Sequence, residues 1–307
     1  MEVSIIIPTK DRGLVFERTL AAALKSVENS GHEIIVINDS KTAEVTIPNS
    51  VSSVSIFNNP NNGVASARNL GVKKAKHSLL LFLDDDILIS ANGLSSAIDF
   101  ILKHPASALN LNWIYPPELS TTIEHTKFGR YLIQKGFTSL KGWQNGSTWK
   151  EDAPFRCNLI SSYFLMIRKD NFETIGGYDE RFPYAGAEDF EFAKRLNSCG
   201  ITPYIDPHSI VFHNESDRVQ MKPWLIRKQR SAQTRRLASE MGHQEVAISS
   251  SKRKVKILLQ LYPMHDLLQF IHFLIPNIRL FDKISFRLID ILVALNLYKG
   301  YFNKQES

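Results

Sequence analysis

Residues 78–88 read Ser-Leu-Leu-Leu-Phe-Leu-Asp-Asp-Asp-Ile-Leu, an apolar run followed at once by three carboxylates. The apolar run is too short for a typical helix, so we interpret Leu79–Leu83 as a strand buried on both faces, as in parallel sheets. Asp84, Asp85 and Asp86 cannot all be ionised close together in a dry interior unless a cation accompanies them. Hard divalent ions prefer such oxygen ligands. The stretch predicts a metal-dependent site, and the alternative is a strand end capped by solvated aspartates.

The chain before this stretch alternates strands and helices. Val3–Ile7 and Ile34–Ile37 are predicted strands, and the segment between them carries Leu20, Leu24 and Val27 on one helical face. A strand, helix and strand within about forty residues are typical of a parallel βαβ unit. We therefore predict an α/β fold, a Rossmann-like, mixed and mostly parallel sheet flanked by helices. In such sheets, ligands bind outside the carboxyl ends of the strands, where the aspartates lie.

The next part of the chain repeats these elements around one irregular region. The predicted elements are helices over 64–76 and 94–102, strands over 108–115, 163–167 and 210–212, and a helix that opens at Glu188 and Asp189. Residues 116–154 lack clear periodicity, and we interpret them as an insertion near the site that acts as a lid. The alternative is a surface excursion with its own small cluster. His213 follows a strand end, as the aspartates do, and is either a metal ligand or a structural histidine.

Composition and motifs narrow the class of protein. With 307 residues, of which 43% are hydrophobic, the chain can bury one large core or two smaller ones. Cys157 and Cys199 show no metal or disulfide spacing, so we expect a reducing compartment. The apolar run Val3–Ile7 is too short for a signal peptide, and we expect a cytoplasmic protein. No Walker pattern and no Gly-x-Gly-x-x-Gly motif occurs, which disfavours ordinary ATPases and dinucleotide enzymes.

The positive charge of the chain lies in its C-terminal region. From Val219 onward there are 15 Lys and Arg against 6 Asp and Glu, which leaves 22 against 25 before it. The apolar helices predicted over 267–275 and 284–297 are interrupted by charges and prolines, so neither is expected to span a membrane. We expect residues 252–307 to contact the anionic inner face of the cell membrane. The alternative is packing on the catalytic part or on a second copy in a homodimer. Nucleic acid is not expected, because aromatic residues do not interleave with the basic ones.

Six motifs, in this order, resemble family 2 glycosyltransferases of the GT-A fold. They are Val3-Ser4-Ile5-Ile6-Ile7-Pro8-Thr9, Asp39, Gly63-Val64-Ala65-Ser66-Ala67-Arg68-Asn69, Phe82-Leu83-Asp84-Asp85-Asp86, Gly176-Gly177-Tyr178-Asp179-Glu180 and Glu188-Asp189. The resemblance implies a GT-A-like domain over residues 1–215, followed by a basic, amphipathic helical region over 216–307. It also implies inverting transfer of a sugar from a nucleotide diphosphate sugar, usually a UDP-sugar, to a hydroxyl of a glycan or lipid-linked acceptor.

The resemblance also implies roles for individual residues. Those expected to bind the nucleotide-sugar donor are Pro8, Thr9, Arg12, Asp39, Arg68, Asp84 and Asp85. Those expected to hold Mn²⁺ or Mg²⁺ are Asp84, Asp86 and His213. Asp189 falls on the catalytic base, and Gly177 and Glu188 fall on the acceptor side. The chain departs from the family in Asn38-Asp39-Ser40-Lys41 and in Asp11, so the preference for uracil stays open.

Other classes of protein remain compatible with these residues. A nucleotidyltransferase acting on sugar phosphates would also place aspartates and Mg²⁺ at a strand end, but it would release pyrophosphate. A non-catalytic glycan-binding protein on the same fold would be expected to lack Asp86 or Asp189, and both are present. No spacing in the sequence identifies the sugar, the acceptor or the linkage.

Overall fold

The structure is a computed structural model that describes residues 1–45, 53–143, 149–216 and 219–303. Part of the expected lid, residues 144–148, and the last residues of the C-terminal region, 304–307, lie outside the described residues. The chain divides into two compact units. The first contains Met1–Pro116, Ser139–Pro183 and Glu188–Glu215, and the second contains Pro117–Thr138, Tyr184–Ala187 and Ser216–Ser307. The division at residue 215 that we expected from the sequence stays a prediction.

The first unit is built on one mixed sheet. Its described strands are β1 (Val3–Thr9), β2 (Glu33–Asn38), β3 (Val54–Asn58), β4 (Leu79–Leu83), β5 (Ile87–Leu88), β6 (Ser107–Ile114), β7 (Phe155–Arg156), β8 (Phe164–Arg168) and β9 (Thr202–His213). They are ordered β3-β2-β1-β4-β8-β6-β9-β5, and β7 pairs with β9. Strands β1 to β4 are parallel, β8 runs antiparallel to both of its neighbours, and β6 and β9 are parallel. The predicted mixed, mostly parallel sheet is confirmed.

The helices of both units are numbered along the chain. They are α1 (Leu14–Ser26), α2 (Val64–Lys74), α3 (Ala91–Lys103), α4 (Pro117–Glu124), α5 (Lys127–Gln134), α6 (Leu140–Trp143), α7 (Lys169–Thr174), α8 (Glu188–Ser198), α9 (Met221–Glu240), α10 (Lys252–Leu261), α11 (His265–Leu274) and α12 (Asp282–Phe302). Short 3₁₀ turns cover Gln244–Val246, Tyr262–Met264 and Arg279–Phe281. No helix among the described residues is long and apolar enough to cross a bilayer.

A close contact in the core of the first unit sets the distance between α2 and the sheet. Every residue of β4 is fully buried, as predicted from its apolar run. On α2, a Cβ at Gly71 would lie 2.3 Å from Cγ2 of Ile6, so only glycine allows this close approach to β1. Because residues three apart share one face of a helix, the same approach brings Arg68 down toward the ends of the strands.

Residues 117–143 form helices rather than the irregular insertion that we predicted. Phe128, Tyr131 and Leu132 of α5 pack with Trp224 of α9 and Leu292 of α12 in the core of the second unit. Helices α4 and α5 have eight residues each, fewer than the roughly 11 to 18 residues over which a hydrophobic period is read. The expected irregular structure is therefore wrong for the described part of this region, and its role as a lid stays a prediction.

Candidate active site

The carboxyl ends of three neighbouring strands carry the charged residues of the site. Arg12 follows β1, Asp39 follows β2, and the triple aspartate follows β4. These strands are parallel neighbours, so their ends meet at one edge of the sheet. Strand β9 joins this edge through β5, since Ile87 pairs with His213 and the backbone N–H of Asn214 donates to the carbonyl of Asp86 at 2.6 Å. Residues far apart in sequence thus meet at one place.

Asp86, His213 and Glu215 form a cluster whose ligand atoms all lie within 4.8 Å of one another. Nε2 of His213 is 3.2 Å from Oδ1 of Asp86 and 3.8 Å from Oε2 of Glu215. Two carboxylates and one imidazole are a donor set that suits Mn²⁺, and the carboxylates also suit Mg²⁺. The chemistry of the donors and their mutual distances therefore fit the divalent ion that the sequence predicts.

Aromatic side chains orient this cluster. The hydroxyl of Tyr115 donates to Oε1 of Glu215 at 2.7 Å. The ring of Trp113 packs edge to face against the imidazole of His213, with ring centroids 4.9 Å apart. Both aromatic residues lie on or directly after β6, which runs parallel to β9. Partners of this kind fix ligands in one orientation, so the cluster is held before any ion binds.

Arg12 contacts the same aspartates from the β1 side. Its Nη2 lies 2.6 Å from Oδ2 of Asp86, and its Nε lies 3.3 Å from Oδ1 of Asp85. The backbone N–H of Lys10 also points to Asp85, at 3.4 Å. The loop after β1 therefore supplies positive charge and an N–H donor beside the aspartates, a combination that suits an anionic ligand.

Arg68 joins the aspartates to the start of α8. Nη2 donates to Oδ1 of Asp84 at 2.9 Å, while Nη1 lies 3.4 Å from Oε1 of Glu188 and 4.0 Å from Oδ1 of Asp189. The side chain is buried. Burial alone would lower the pKa of the guanidinium, but Asp84, Tyr178 and the two acidic residues of α8 outweigh it and raise this pKa. Arg68 therefore stays charged within the protein.

Burial and neighbouring charges together raise the pKa of the Asp84 carboxyl. Loss of hydration raises the pKa of its carboxyl, Arg68 opposes this, and the nearby carboxylates of Asp86 and Asp189 raise it further. Its side chain keeps about a third of its exposure, so solvent tempers these effects. A cation beside this carboxyl would oppose the loss of hydration and favour its charged form.

Asp189 is fixed at the N-terminus of α8. Its Oδ2 accepts hydrogen bonds from Oγ of Ser161 and from the backbone N–H of Ser162, both at 3.1 Å, and its Oδ1 accepts one from Oγ of Ser162. The helix dipole further favours a carboxylate at this position. About 18% of the side chain remains exposed, whereas the neighbouring Glu188 is buried. Asp189 is thus an oriented carboxylate that solvent or a substrate can reach.

A second set of residues expected to bind the nucleotide-sugar donor lies beside β2. Oδ1 of Asp39 accepts hydrogen bonds from Nδ2 of Asn59 at 2.7 Å and from the backbone N–H of Gly63 at 3.1 Å, and Lys10 lies 3.3 Å from Oδ2. Pro8 and Thr9 are the last residues of β1, and the carbonyl of Thr9 accepts from the N–H of Asp39. Asp39 is thus buried among polar groups at the same edge of the sheet.

Gly177 lies in the turn after α7 and has conformational reasons to be glycine. Its φ is +73°, and a Cβ there would lie 2.8 Å from Oδ1 of Asn69. Its carbonyl accepts a hydrogen bond from Nη1 of Arg195 at 2.6 Å. The described contacts of Gly177 are therefore those of a tight turn, and its role on the acceptor side stays a prediction.

A family model described as glycosyl transferase family 2 matches residues 4–169, more than half of the chain. The chain belongs to glycosyl transferase family 2. A second model, described as the N-terminal domain of galactosyltransferase, matches residues 152–217 of this family 2 chain. The second match includes Asp189, His213 and Glu215, and the first includes the triple aspartate.

Relatives of this family 2 chain are distant in sequence. It is 27% identical over 206 residues to an uncharacterized glycosyltransferase of Haemophilus influenzae, a match that covers 66% of the chain and 64% of that protein. It is 26% identical to chondroitin synthase of Pasteurella multocida over 69% of the chain and 25% of that protein. The matches thus span less than two thirds of these relatives. A mannosyltransferase from Pyrobaculum calidifontis, solved with GDP-Man and Mn²⁺, is 13% identical, with a TM-score of 0.56 over 99% of the chain and 88% of its own. That likeness confirms the GT-A fold.

Sequence reasoning missed several residues of this family 2 site. Glu215 lies two residues after His213 and beyond the end of the strand, where no period indicates which way a side chain points. Tyr115 lies in what we predicted as a strand, but its partner is known only once β6 and β9 are paired. Ser161 and Ser162 precede β8 as ordinary polar residues. The one available signal was the acidic residue close after a candidate ligand histidine.

Proposed function

We propose that this protein is an inverting, metal-dependent glycosyltransferase that moves a sugar from a nucleotide diphosphate sugar to an acceptor hydroxyl. The observation that carries the proposal is the cluster of Asp86, His213 and Glu215, joined through the aspartates and Arg68 to the oriented carboxylate of Asp189. An ion site and an accessible base within one unit are what such a transfer requires. Family membership supports the same reaction.

The donor side of the site is suited to a diphosphate. Asp86, His213 and Glu215 would hold the ion, with Asp84 nearby, and a bound Mn²⁺ or Mg²⁺ would neutralise the charge that builds up on the departing diphosphate. Arg12 and the N–H of Lys10 lie beside these ligands and would bind phosphate oxygens. Asp39 would accept hydrogen bonds from the nucleoside base, most simply from the N–H of uracil. A UDP-sugar is therefore the proposed donor.

Asp189 is proposed as the base that takes the proton from the acceptor hydroxyl. Its carboxylate offers about four acceptor positions, and the described hydrogen bonds occupy three of them. The remaining position is available to an incoming hydroxyl, since part of the side chain is exposed. Base catalysis of this kind typically contributes 10²- to 10⁴-fold to the rate, as an order of magnitude. Direct displacement inverts the anomeric centre, so no protein nucleophile is needed.

Glu188 and Arg68 are proposed to position that base. Glu188 is buried and lies beside Nη1 of Arg68, which keeps the guanidinium pointed at the start of α8. The guanidinium in turn lies between Asp84 and Asp189 and separates two carboxylates that would otherwise repel each other. Arg68 therefore lowers the electrostatic cost of placing these two acidic residues in one site.

The proposed acceptor is a glycan or a lipid-linked saccharide in the synthesis of surface polysaccharide or glycoconjugate. This part of the proposal is supported by the relative named chondroitin synthase, whose name describes the formation of a polysaccharide. A nucleotide sugar donor also agrees with the cytoplasmic location that we propose from the sequence.

The test is a panel of nucleotide sugars with Mn²⁺, in which each product is identified by chromatography. We expect one donor to release its nucleoside diphosphate slowly to water, and faster when the acceptor is added. The anomeric configuration of the product, read by proton NMR, should be opposite to that of the donor. Formation of pyrophosphate from a sugar phosphate and a nucleoside triphosphate would instead make the protein a nucleotidyltransferase and overturn the proposal.

A further inference from the structure

Helix α11 in the second unit has its polar side turned toward its own protein. Nε2 of His265 is 2.9 Å from Nδ2 of Asn296, and Nε2 of His272 is 2.9 Å from Oγ of Ser285, both on α12. Gln269 contacts His265 at 3.1 Å within α11. The inward face thus carries two histidines and a glutamine beside Leu268, which packs against the core of the second unit. The other apolar residues of α11 are left on the outside.

The outward residues form a continuous apolar series. Twelve of the twenty large hydrophobic side chains that are exposed in the described residues fall between 257 and 291, so the exposure is concentrated rather than scattered. They are Ile257, Leu261, Met264, Leu267, Phe270, Ile271, Phe273, Leu274, Ile278, Leu280, Ile284 and Ile291. We call these residues the α10–α12 surface. Single exposed apolar residues are normal, but a concentration of this size marks an interaction site.

Cationic side chains accompany the α10–α12 surface. The exposed basic residues of the same segment are Lys252, Arg253, Lys254, Lys256, Arg279, Lys283 and Arg287. The acidic residues of this segment are fewer, and two of them are paired within the unit: Asp282 with Arg130 and Asp290 with Lys135. The charge that remains beside the apolar side chains is therefore positive.

Near its N-terminal end, the α10–α12 surface has a groove that is lined by both apolar and basic side chains. Val255, Leu259 and Phe302 supply an apolar lining, and Lys252 and Lys256 lie at the same groove, which has a volume of about 580 Å³. An ammonium group beside an apolar lining matches the headgroup and the first methylene groups of an anionic phospholipid. The lysine stems add apolar area while their charges stay in water.

We propose that the α10–α12 surface binds the interface of an anionic lipid bilayer. Exposed leucine, isoleucine and phenylalanine beside lysine and arginine are the composition of helices that lie in the plane of a membrane. The described helices do not span a bilayer, which agrees with a surface position. A second copy of this chain is a poorer occupant, because a symmetric contact would bring the two sets of basic residues together. This proposal does not depend on the proposed catalytic function.

The test is cosedimentation of the full chain with vesicles of phosphatidylcholine alone or with about 30% phosphatidylglycerol. We expect strong binding only to the anionic vesicles. The double variant Phe270→Ser/Phe273→Ser should bind them at least tenfold more weakly, and its matched control, Leu102→Ser/Ile226→Ser, should bind as the wild type does. All four side chains are exposed, so the substitutions leave the cores intact.

A second pair of variants tests the charges. Lys252→Gln/Arg253→Gln/Lys256→Gln should weaken vesicle binding by at least about tenfold, since each cation near an anionic membrane adds to the attraction. Arg18→Gln/Lys25→Gln/Lys103→Gln removes as many exposed charges from the first unit and should have little effect. Equal binding to neutral and anionic vesicles would overturn the proposal. So would a dimer, seen by analytical ultracentrifugation without vesicle binding, that Phe270→Ser/Phe273→Ser dissociates.

Discussion

The guanidinium of Arg12 lies 2.6 Å from Oδ2 of Asp86. The other oxygen of that carboxylate lies 3.2 Å from His213. Asp86 is therefore shared between a fixed positive charge on one side and the candidate ion ligands on the other. This sharing limits Asp86 to one oxygen toward the ion, and it makes the affinity for the ion depend strongly on the two remaining ligands.

We predict that His213→Gln and Glu215→Gln each weaken the binding of Mn²⁺ by at least about tenfold, because each removes one of three protein ligands. The measurement is isothermal titration calorimetry with Mn²⁺ and the full chain. His208→Gln is a matched control, since this histidine is exposed on the same strand and outside the cluster. Unchanged affinity in the His213 and Glu215 variants would remove the cluster from the ion site.

Asp189→Asn should lower the rate of transfer by about 10²- to 10⁴-fold, because the amide cannot take a proton from the acceptor. Binding of the donor, measured by calorimetry, should be unchanged, since the substitution keeps the shape of the side chain. The control is Asp99→Asn, an exposed carboxylate on α3 that should leave the rate as it is. A variant that keeps most of its transfer rate would show that another group is the base.

Replacing Arg68 should destabilise the protein. In Arg68→Met, the buried carboxylate of Glu188 and the partly buried carboxylate of Asp84 lose their partner, and we expect the free energy of unfolding in urea to fall by about 3–5 kcal/mol. The double variant Arg68→Met/Glu188→Gln should recover part of this loss, because one buried charge is then removed as well. In the control Arg181→Met, the side chain lost is mostly exposed and pairs with Asp179, and the change should stay below about 1 kcal/mol. Additive effects of the two substitutions would argue against coupling between Arg68 and Glu188.

His272 should make stability depend on pH. Burial, with a smaller contribution from Lys127, lowers the pKa of this histidine from 6.5 to about 4. As the pH falls below 6.5, the unfolded chain binds a proton that the native state does not bind until about pH 4. The stability that the neutral histidine contributes is therefore complete above pH 6.5 and is lost as the pH falls to 4.

We expect this loss to amount to about 3 kcal/mol. The measurement is urea unfolding of the wild type and of His272→Gln at several values between pH 4 and pH 7. The variant should lose less stability in this window, whereas His125→Gln, at an exposed position, should follow the wild type. Identical curves for all three proteins would mean that His272 titrates normally in the native state.

Local sequence signals predicted the strands and helices of the first unit well where they were strong. The strand Leu79–Leu83 has the predicted bounds, and α8 begins at Glu188 as expected, because an apolar run and a pair of acidic residues mark these ends directly. The position of Glu215 depends instead on the pairing of β6 with β9, which the local sequence does not contain. The assignment of roles to individual site residues stays a prediction.

The second unit shows a different limit. The amphipathic pattern of α11 was visible in the sequence, with Leu267 and Ile271 opposite His265 and His272. Periodicity identifies two faces but does not say which of them packs inward. Here the polar face found buried partners in Ser285 and Asn296, so the apolar face became the exposed one. The sequence analysis did not predict helices α4 and α5, because each is only about two turns long.

The pairing of β6 with β9 shifts between Leu111 and Asn112, where the partner changes from Asp206 to Ile210. Strand β9 therefore carries three residues, Pro207 to Ser209, that β6 does not match. Unmatched residues of this kind bend a strand and re-aim the side chains that follow them. Ile210, Val211 and Phe212 then pair again with β6, and His213 pairs with Ile87 directly after the aspartates. The ion site thus depends on a local irregularity in one strand, so insertions or deletions in residues 207–209 during evolution would move His213 relative to the aspartates while the buried core of the sheet kept its pairing.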